Sequence, residues 1–169
     1  MDPSATQATF HTLRAVTGME LEIHAHDDLG LATVNVPAAV RGGASYVSTT
    51  VNGLGERAGN APLEEVVVAI STLYVYSTGI DFWHLSLVSE LVACASGRPV
   101  PAAKSVVGAA VFTHESGICV HDLLKDKCNY RFLDPTKLGR HHHLVRGKHS
   151  GLTAVLKVCM DLGLTVAPA

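Results

Sequence analysis

Two short runs, residues 19–26 and 46–51, alternate their side chains between two faces, and each lies between segments patterned as helix. In the first, Leu21, Ile23 and Ala25 lie opposite Glu22, His24 and His26; in the second, Val47, Thr49 and Val51 lie opposite Ser48, Thr50 and Asn52. Alternation with a period of two marks a strand with one covered face. Strands separated by helices pair in parallel through helical crossovers, because a hairpin needs a tight turn. One helix is read over residues 4–17, capped by Ser4, with Phe10, Leu13 and Val16 at helical spacing and Gly18 as its stop. A second runs from about 31 to 41 and is closed by Gly42-Gly43. A third is opened by Pro62 and carries Leu63, Val66, Val67, Ile70, Leu73 and Tyr74 on its apolar side. The first 80 residues are therefore expected to be α/β. Two strands cannot close an eight-stranded barrel, so the segment is either part of one or a smaller fold.

Past residue 80 the rhythm breaks. A helix over 84–95 is followed by Gly97-Arg98-Pro99-Val100-Pro101, a linker by composition, and 102–148 shows no repeated pattern. A last amphipathic helix spans 150–162 through Leu152, Val155, Leu156 and Cys159. The expected division is therefore 1–80 and 81–169. With a net charge of −2 and no Lys/Arg cluster, the chain is not built for nucleic acid or an anionic membrane. Its most apolar stretch, 66–76, is too short to span a bilayer, and residues 1–4 lack the character of a targeting peptide. Cys94, Cys119, Cys128 and Cys159 show no metal or redox spacing, and reduced thiols in a cytoplasmic protein are expected.

Candidate chemistry gathers at the carboxyl ends of the two strands, where barrel enzymes build their sites. His24 and His26 share a strand face and can grip one divalent ion, although a catalytic metal usually takes a third protein ligand. The bland alternative is a pair of histidines that merely hydrogen-bond at a strand end. Asp27 and Asp28 favour the metal, since carboxylates orient ligating imidazoles. Residues 52–60, Asn-Gly-Leu-Gly-Glu-Arg-Ala-Gly-Asn, fit neither the dinucleotide fingerprint nor a P-loop. They read as a substrate-facing loop whose Gly53 and Gly55 admit a close ligand beside Glu56, the alternative being a plain connector. Residues 112–118, Phe-Thr-His-Glu-Ser-Gly-Ile, lack the elbow of a serine nucleophile, and Cys119 reads as a buried small hydrophobe. The run His141-His142-His143 reads as a solvated loop, because adjacent residues cannot all face one ion.

Four motifs in order resemble the homocitrate synthase and 2-isopropylmalate synthase family. They are His-Ala-His-Asp-Asp-Leu-Gly-Leu-Ala at 24–32, Gly-Leu-Gly-Glu-Arg-Ala-Gly-Asn-Ala at 53–61, Phe-Thr-His-Glu-Ser-Gly-Ile at 112–118 and Leu-Val-Arg-Gly-Lys-His-Ser-Gly at 144–151. The details are most similar to the family's nitrogen-fixation homocitrate synthases. The resemblance implies a TIM (β/α)8 barrel followed by a mainly helical subdomain. It also implies a Claisen-type condensation of acetyl-CoA with a 2-oxo acid, 2-oxoglutarate for homocitrate, assisted by a divalent metal (Mg, Mn or Zn). Under it, His24, His26 and Asn60 match metal-site residues; Glu115 and Tyr130 match a subdomain that reaches over a partner's active site.

Two departures qualify that likeness. The chain resembles only the carboxyl-terminal part of such enzymes, from near the sixth barrel strand, so the family's first-strand acidic ligand and its arginine have no counterpart. Cys119 stands where the family carries a histidine implicated in proton chemistry, and a thiol is a poor stand-in near neutrality. The expectation is a homocitrate synthase-like portion, inactive alone, working as a homodimer in the intact enzyme or with a separate amino-terminal half. Its rivals are a 2-isopropylmalate synthase fragment, a non-catalytic subunit of a split enzyme, and a gene fragment that does not fold stably.

Overall fold

The computed structural model describes residues 1–74, 76–126, 129, 132–145, 147–148 and 150–164. It divides into two compact units, Met1–Gly108 and Ala109–Ala169. In the first, helix α1 (Pro3–Thr17) is capped by Asp2, not Ser4. The Asp2 carboxylate accepts the Ala5 N–H at 2.9 Å, and Pro3 occupies the first helical position, where its missing N–H costs nothing. Gly18, at φ 64°, ends the helix. Strand β1 (Glu22–His24) and strand β2 (Tyr46–Ser48) pair in parallel, with Ile23 opposite Val47 and His24 opposite Ser48. Helix α2 (Ala32–Arg41) connects them, and helix α3 (Leu63–Leu73) follows β2.

Both strands are shorter than the alternation suggests, because their ends pair with a returning loop instead of with each other. Ala25 O accepts Ala61 N–H and Asp27 N–H donates to Gly59 O, so His26 faces Asn60 in an isolated antiparallel bridge. Thr50 exchanges bonds with Ala61 and Leu63, and a 3-10 turn at Val51–Gly53 replaces the end of the expected strand.

The core of this unit is Ile23, Ala25, Ala32, Val36, Ala39, Ala44, Ala61, Val66 and Ile70, with Phe10, Val40 and Val47 packed against it. Five of those nine are alanines, which lets the helices lie close on the strands. The buried side of α3 also takes in Val68 and Glu64, while Leu73 is exposed. A 3-10 turn at Phe82–His84, capped by the Asp81 carboxylate, leads into helix α4 (Leu85–Ser96).

The second unit is more ordered than its pattern promises. Strand β3 (Thr113–His114) and strand β4 (His143–Leu144) pair in parallel across helix α5 (Gly117–Lys125) and a 3-10 turn at Pro135–Leu138, and helix α6 (Leu152–Asp161) follows. Phe112, Val120, Leu123, Leu138 and Ala154 are buried here. The histidine run is not simply solvated: His142 is half-buried with its ring edge-on to Phe112, and His143 belongs to β4. Among the described residues no helix is long and apolar enough to cross a membrane.

Candidate functional site

The burial pattern of β1 turns Ile23 into the core and His24 out of it. His24 Nδ1 lies 3.1 Å from the Ser48 hydroxyl, the residue that the parallel register sets beside it. Two residues on, half-buried His26 presents its ring 4.9 Å from that of His24, at 89°. The backbone bridge sets buried Asn60 opposite His26. Asn60 Nδ2 donates to Leu54 O at 3.1 Å, but its Oδ1 is buried with no hydrogen-bond partner, as is His26 Nδ1. A buried acceptor left unmade is costly, and a lone pair on each of these atoms suits a cation. His24, His26 and Asn60 are thus brought together and can contribute donors to a divalent metal. Among the described residues no group of three His, Cys, Asp or Glu side chains gathers to complete such a site.

The acidic turn does something other than the sequence suggests. Asp27 Oδ1 accepts the Ala32 N–H at 2.8 Å, satisfying the first turn of α2, and Asp28 takes a two-pronged bond from Arg57 at 2.9–3.2 Å. That guanidinium holds the Asp28 carboxyl below its ordinary value. Both carboxylates are spent on the scaffold instead of orienting an imidazole.

Residues 53–60 fold back on themselves through Asn60. Its N–H donates to Gly53 O at 3.0 Å, and Thr50 Oγ1 donates to Leu54 O at 2.6 Å. Gly55 is required by this packing: a Cβ there would sit 2.6 Å from Asn60 Nδ2. Glu56 is exposed at the loop's tip. Beside the loop, a cleft of about 230 Å³ is lined by Asn52–Gly55, Arg57–Gly59 and residues 98–101 with Lys104.

Sequence reasoning missed the group that anchors this loop: Asn52, Glu64, Ser89 and Lys104. Glu64-Glu65 reads as a charged helix start, yet Glu64 is 1% exposed. The available signal is its place one turn before Val67 and Val68, on the buried side of α3.

The remaining candidates lie in the second unit. Glu115 is half-buried with its carboxylate against Gly147, so that a larger residue there would displace it. Cys119 is half-buried on α5, and His121 is engaged with the Thr153 hydroxyl of α6 at 3.2 Å. His114 Nε2 and His142 Nδ1 are 3.1 Å apart, and burial pushes the His114 imidazole below its ordinary value. Tyr130 lies outside the described residues.

Comparison with known proteins adds the last observations. Residues 1–92 match the family model described as HMGL-like, and residues 106–169 match the one described as homocitrate synthase post-HMGL domain-like. A protein named 2-isopropylmalate synthase 2 from Caldanaerobacter subterraneus subsp. tengcongensis is 45% identical over 163 residues, 96% of this chain and 42% of that protein. Homocitrate synthase of Frankia alni is 49% identical over 156 residues, 92% of this chain and 44% of that protein. Homocitrate synthase 1 of Nostoc sp. strain PCC 7120 is 44% identical over 168 residues, 99% of this chain and 45% of that protein. The chain thus spans less than half the length of these relatives.

Proposed function

From the premise that this chain belongs to the HMGL-like family of TIM-barrel proteins, we propose that it forms the carboxyl-terminal part of a homocitrate synthase-like acyltransferase. The reaction is the condensation of acetyl-CoA with 2-oxoglutarate, giving homocitrate and free CoA, in a cytoplasmic enzyme suited to nitrogen fixation. Residues 1–80 supply the last β/α units of the barrel, and 81–169 a mainly helical subdomain. The observation that carries this reading is the meeting of His24, His26 and Asn60 at the carboxyl end of β1, with two buried polar atoms facing no partner.

His24, His26 and Asn60 are the residues that would hold a divalent ion, Mg, Mn or Zn. Such an ion supplies Lewis acidity toward a ketone oxygen. The chain's own groups do the rest. Gly53 and Gly55, packed on Asn60, give the substrate-facing loop its shape, and Glu56 borders the 2-oxo acid. Glu115 and Tyr130 belong to the subdomain that closes over a site, in a homodimer or with a separate amino-terminal half. Forming the new C–C bond requires a base to take a methyl proton from acetyl-CoA; Cys119 occupies the position of the expected imidazole and serves only as thiolate.

Because the chain offers two imidazoles and one amide, the reading makes it inactive alone. The test is CoA release by the chain, alone and co-expressed with an amino-terminal half, with 2-oxoglutarate against 2-oxoisovalerate. Activity only in combination and with 2-oxoglutarate is expected. Preference for 2-oxoisovalerate would replace the reading by 2-isopropylmalate synthase, and inactivity of the combination would leave a non-catalytic role.

A further inference from the structure

Glu64, in the first turn of α3, is almost wholly buried, and a carboxylate is seldom taken so far from water unless its oxygens are engaged. Its Oε2 accepts the Asn52 N–H at 3.0 Å. Lys104 Nζ stands 3.4 Å from Oε1, close enough for an ion pair, and bonds more tightly to the neighbouring Glu65. Asn52 is held in turn in a left-handed conformation, φ 61° and ψ 9°, which few residues other than glycine adopt. Its Nδ2 donates to Ser89 O at 2.9 Å, and its Oδ1 accepts the Ser89 hydroxyl. Ser89 lies on α4 and is itself 1% exposed.

The position of Asn52 matters because of what comes next. The carbonyls of Gly53 and Leu54, the two residues that follow it, are the groups that hold Asn60 by its N–H and its carboxamide. A rotation at Asn52 would swing both carbonyls away from the Asn60 N–H and carboxamide, leaving only the backbone bonds of Gly59 and Ala61 to hold Asn60 opposite His26. The conformation of Asn52 is thus set by a carboxylate on one helix, a serine on the next and, through that carboxylate, a lysine beyond it.

We propose that Glu64 is a positioning residue. It fixes Asn52, and through Asn52 the whole of residues 53–60, with Lys104 as its counter-ion. The order of the loop then depends on α4 and the segment after it. Its bearing on catalysis rests on the reading of that loop as the substrate-facing element.

The test is hydrogen exchange on the full chain. Lys104→Met leaves the buried carboxylate uncompensated, whereas Glu64→Gln removes the charge and keeps an oxygen for the Asn52 N–H. In K104M the Leu54 and Asn60 amides should exchange at least about ten-fold faster, while the amides of α2 stay within about two-fold. In the E64Q/K104M double variant most of that protection should return, since the most deeply buried charge leaves with the lysine while Glu65 keeps the bond from the Thr33 hydroxyl. Unchanged loop amides in K104M, uniform acceleration throughout the unit, or additive effects in the double variant would overturn the proposal. Asn52→Gly gives an independent check: it tolerates the positive φ but loses both bonds to Ser89, so the loop amides should again accelerate selectively. Unchanged exchange in N52G would also overturn it. Exchange requires no substrate, so a loop held by Glu64 in a chain that never supports CoA release would sink the enzyme reading and leave this one standing.

Discussion

Asp27 has one carboxylate and two competing uses. Directly after His26, it reads as a group that orients a metal-bound imidazole; in the fold it accepts the Ala32 N–H and closes the start of α2. Unsatisfied N–H groups in a helix's first turn are expensive, and the nearer donor takes the carboxylate. Asp27→Ala should therefore lower stability by about 1 kcal/mol, with Asp27→Asn retaining most of it. Urea denaturation measures this; a D27A variant of unchanged stability but weaker zinc binding would restore the metal-orienting role. The histidine pair, by contrast, was legible, because strand periodicity alone puts His24 and His26 side by side. Asn60 joins them only through the family resemblance and not through periodicity, since its place opposite His26 depends on a loop turning back through backbone bonds from Gly59 and Ala61. Glu64 was hidden for a related reason. Adjacent glutamates at a helix start look like solvated dipole partners unless the buried side of that helix is already known.

At the scale of elements, legibility followed length. Helices α1 to α4 run to ten residues or more and declared themselves by spacing. The ladder of β3 and β4, two residues in each strand, offers no period to read, and α5 opens on a glycine without a side-chain cap. What holds that ladder side by side includes the hydrogen bond between His114 and His142, and this makes its stability depend on pH. Burial lowers the His114 value, so the folded unit prefers the neutral ring. Above the ordinary imidazole value neither folded nor unfolded chain binds the proton, and the stabilisation is complete. As pH falls through that value the unfolded chain charges first, and stability drains away until the lowered folded value is passed. Charging both rings would also remove the acceptor from the bond. Between about pH 7.5 and about pH 5.5 the second unit should lose thermal stability, and His114→Gln should flatten the profile. Melting followed across that range checks it: an H114Q profile as steep as the parent's would assign the dependence to other groups.

For the molecule as a whole the decisive fact is how little sheet there is. Among the described residues β1 and β2 form a ladder of only two strands, so each keeps an outer edge. A two-stranded ladder is marginal by itself, and open edges recruit other chains. The helical cover leaves apolar groups in water as well: Val16 is 79% exposed, Trp83 58%, Leu87 64% and Leu91 66%. The core beneath is rich in alanine and buries little area per residue, so it has little reserve with which to tolerate those exposures. Under the proposed function the edges have an occupant, because strands that complete a barrel would supply both further sheet and a third metal ligand. The chain alone should therefore self-associate as its concentration rises. Co-expression with an amino-terminal half of a relative should convert it to a discrete complex with a higher melting temperature and tighter zinc binding. Light scattering coupled to size exclusion, with zinc titration of both samples, measures these together. A monodisperse monomer that gains neither stability nor zinc affinity from the added half would mean that the two-stranded unit is self-sufficient. The His24–His26 pair would then be a structural feature of a strand end. The coupling of the two gains separates a completed site from mere burial of a sticky edge, since covering an edge raises stability without supplying a ligand.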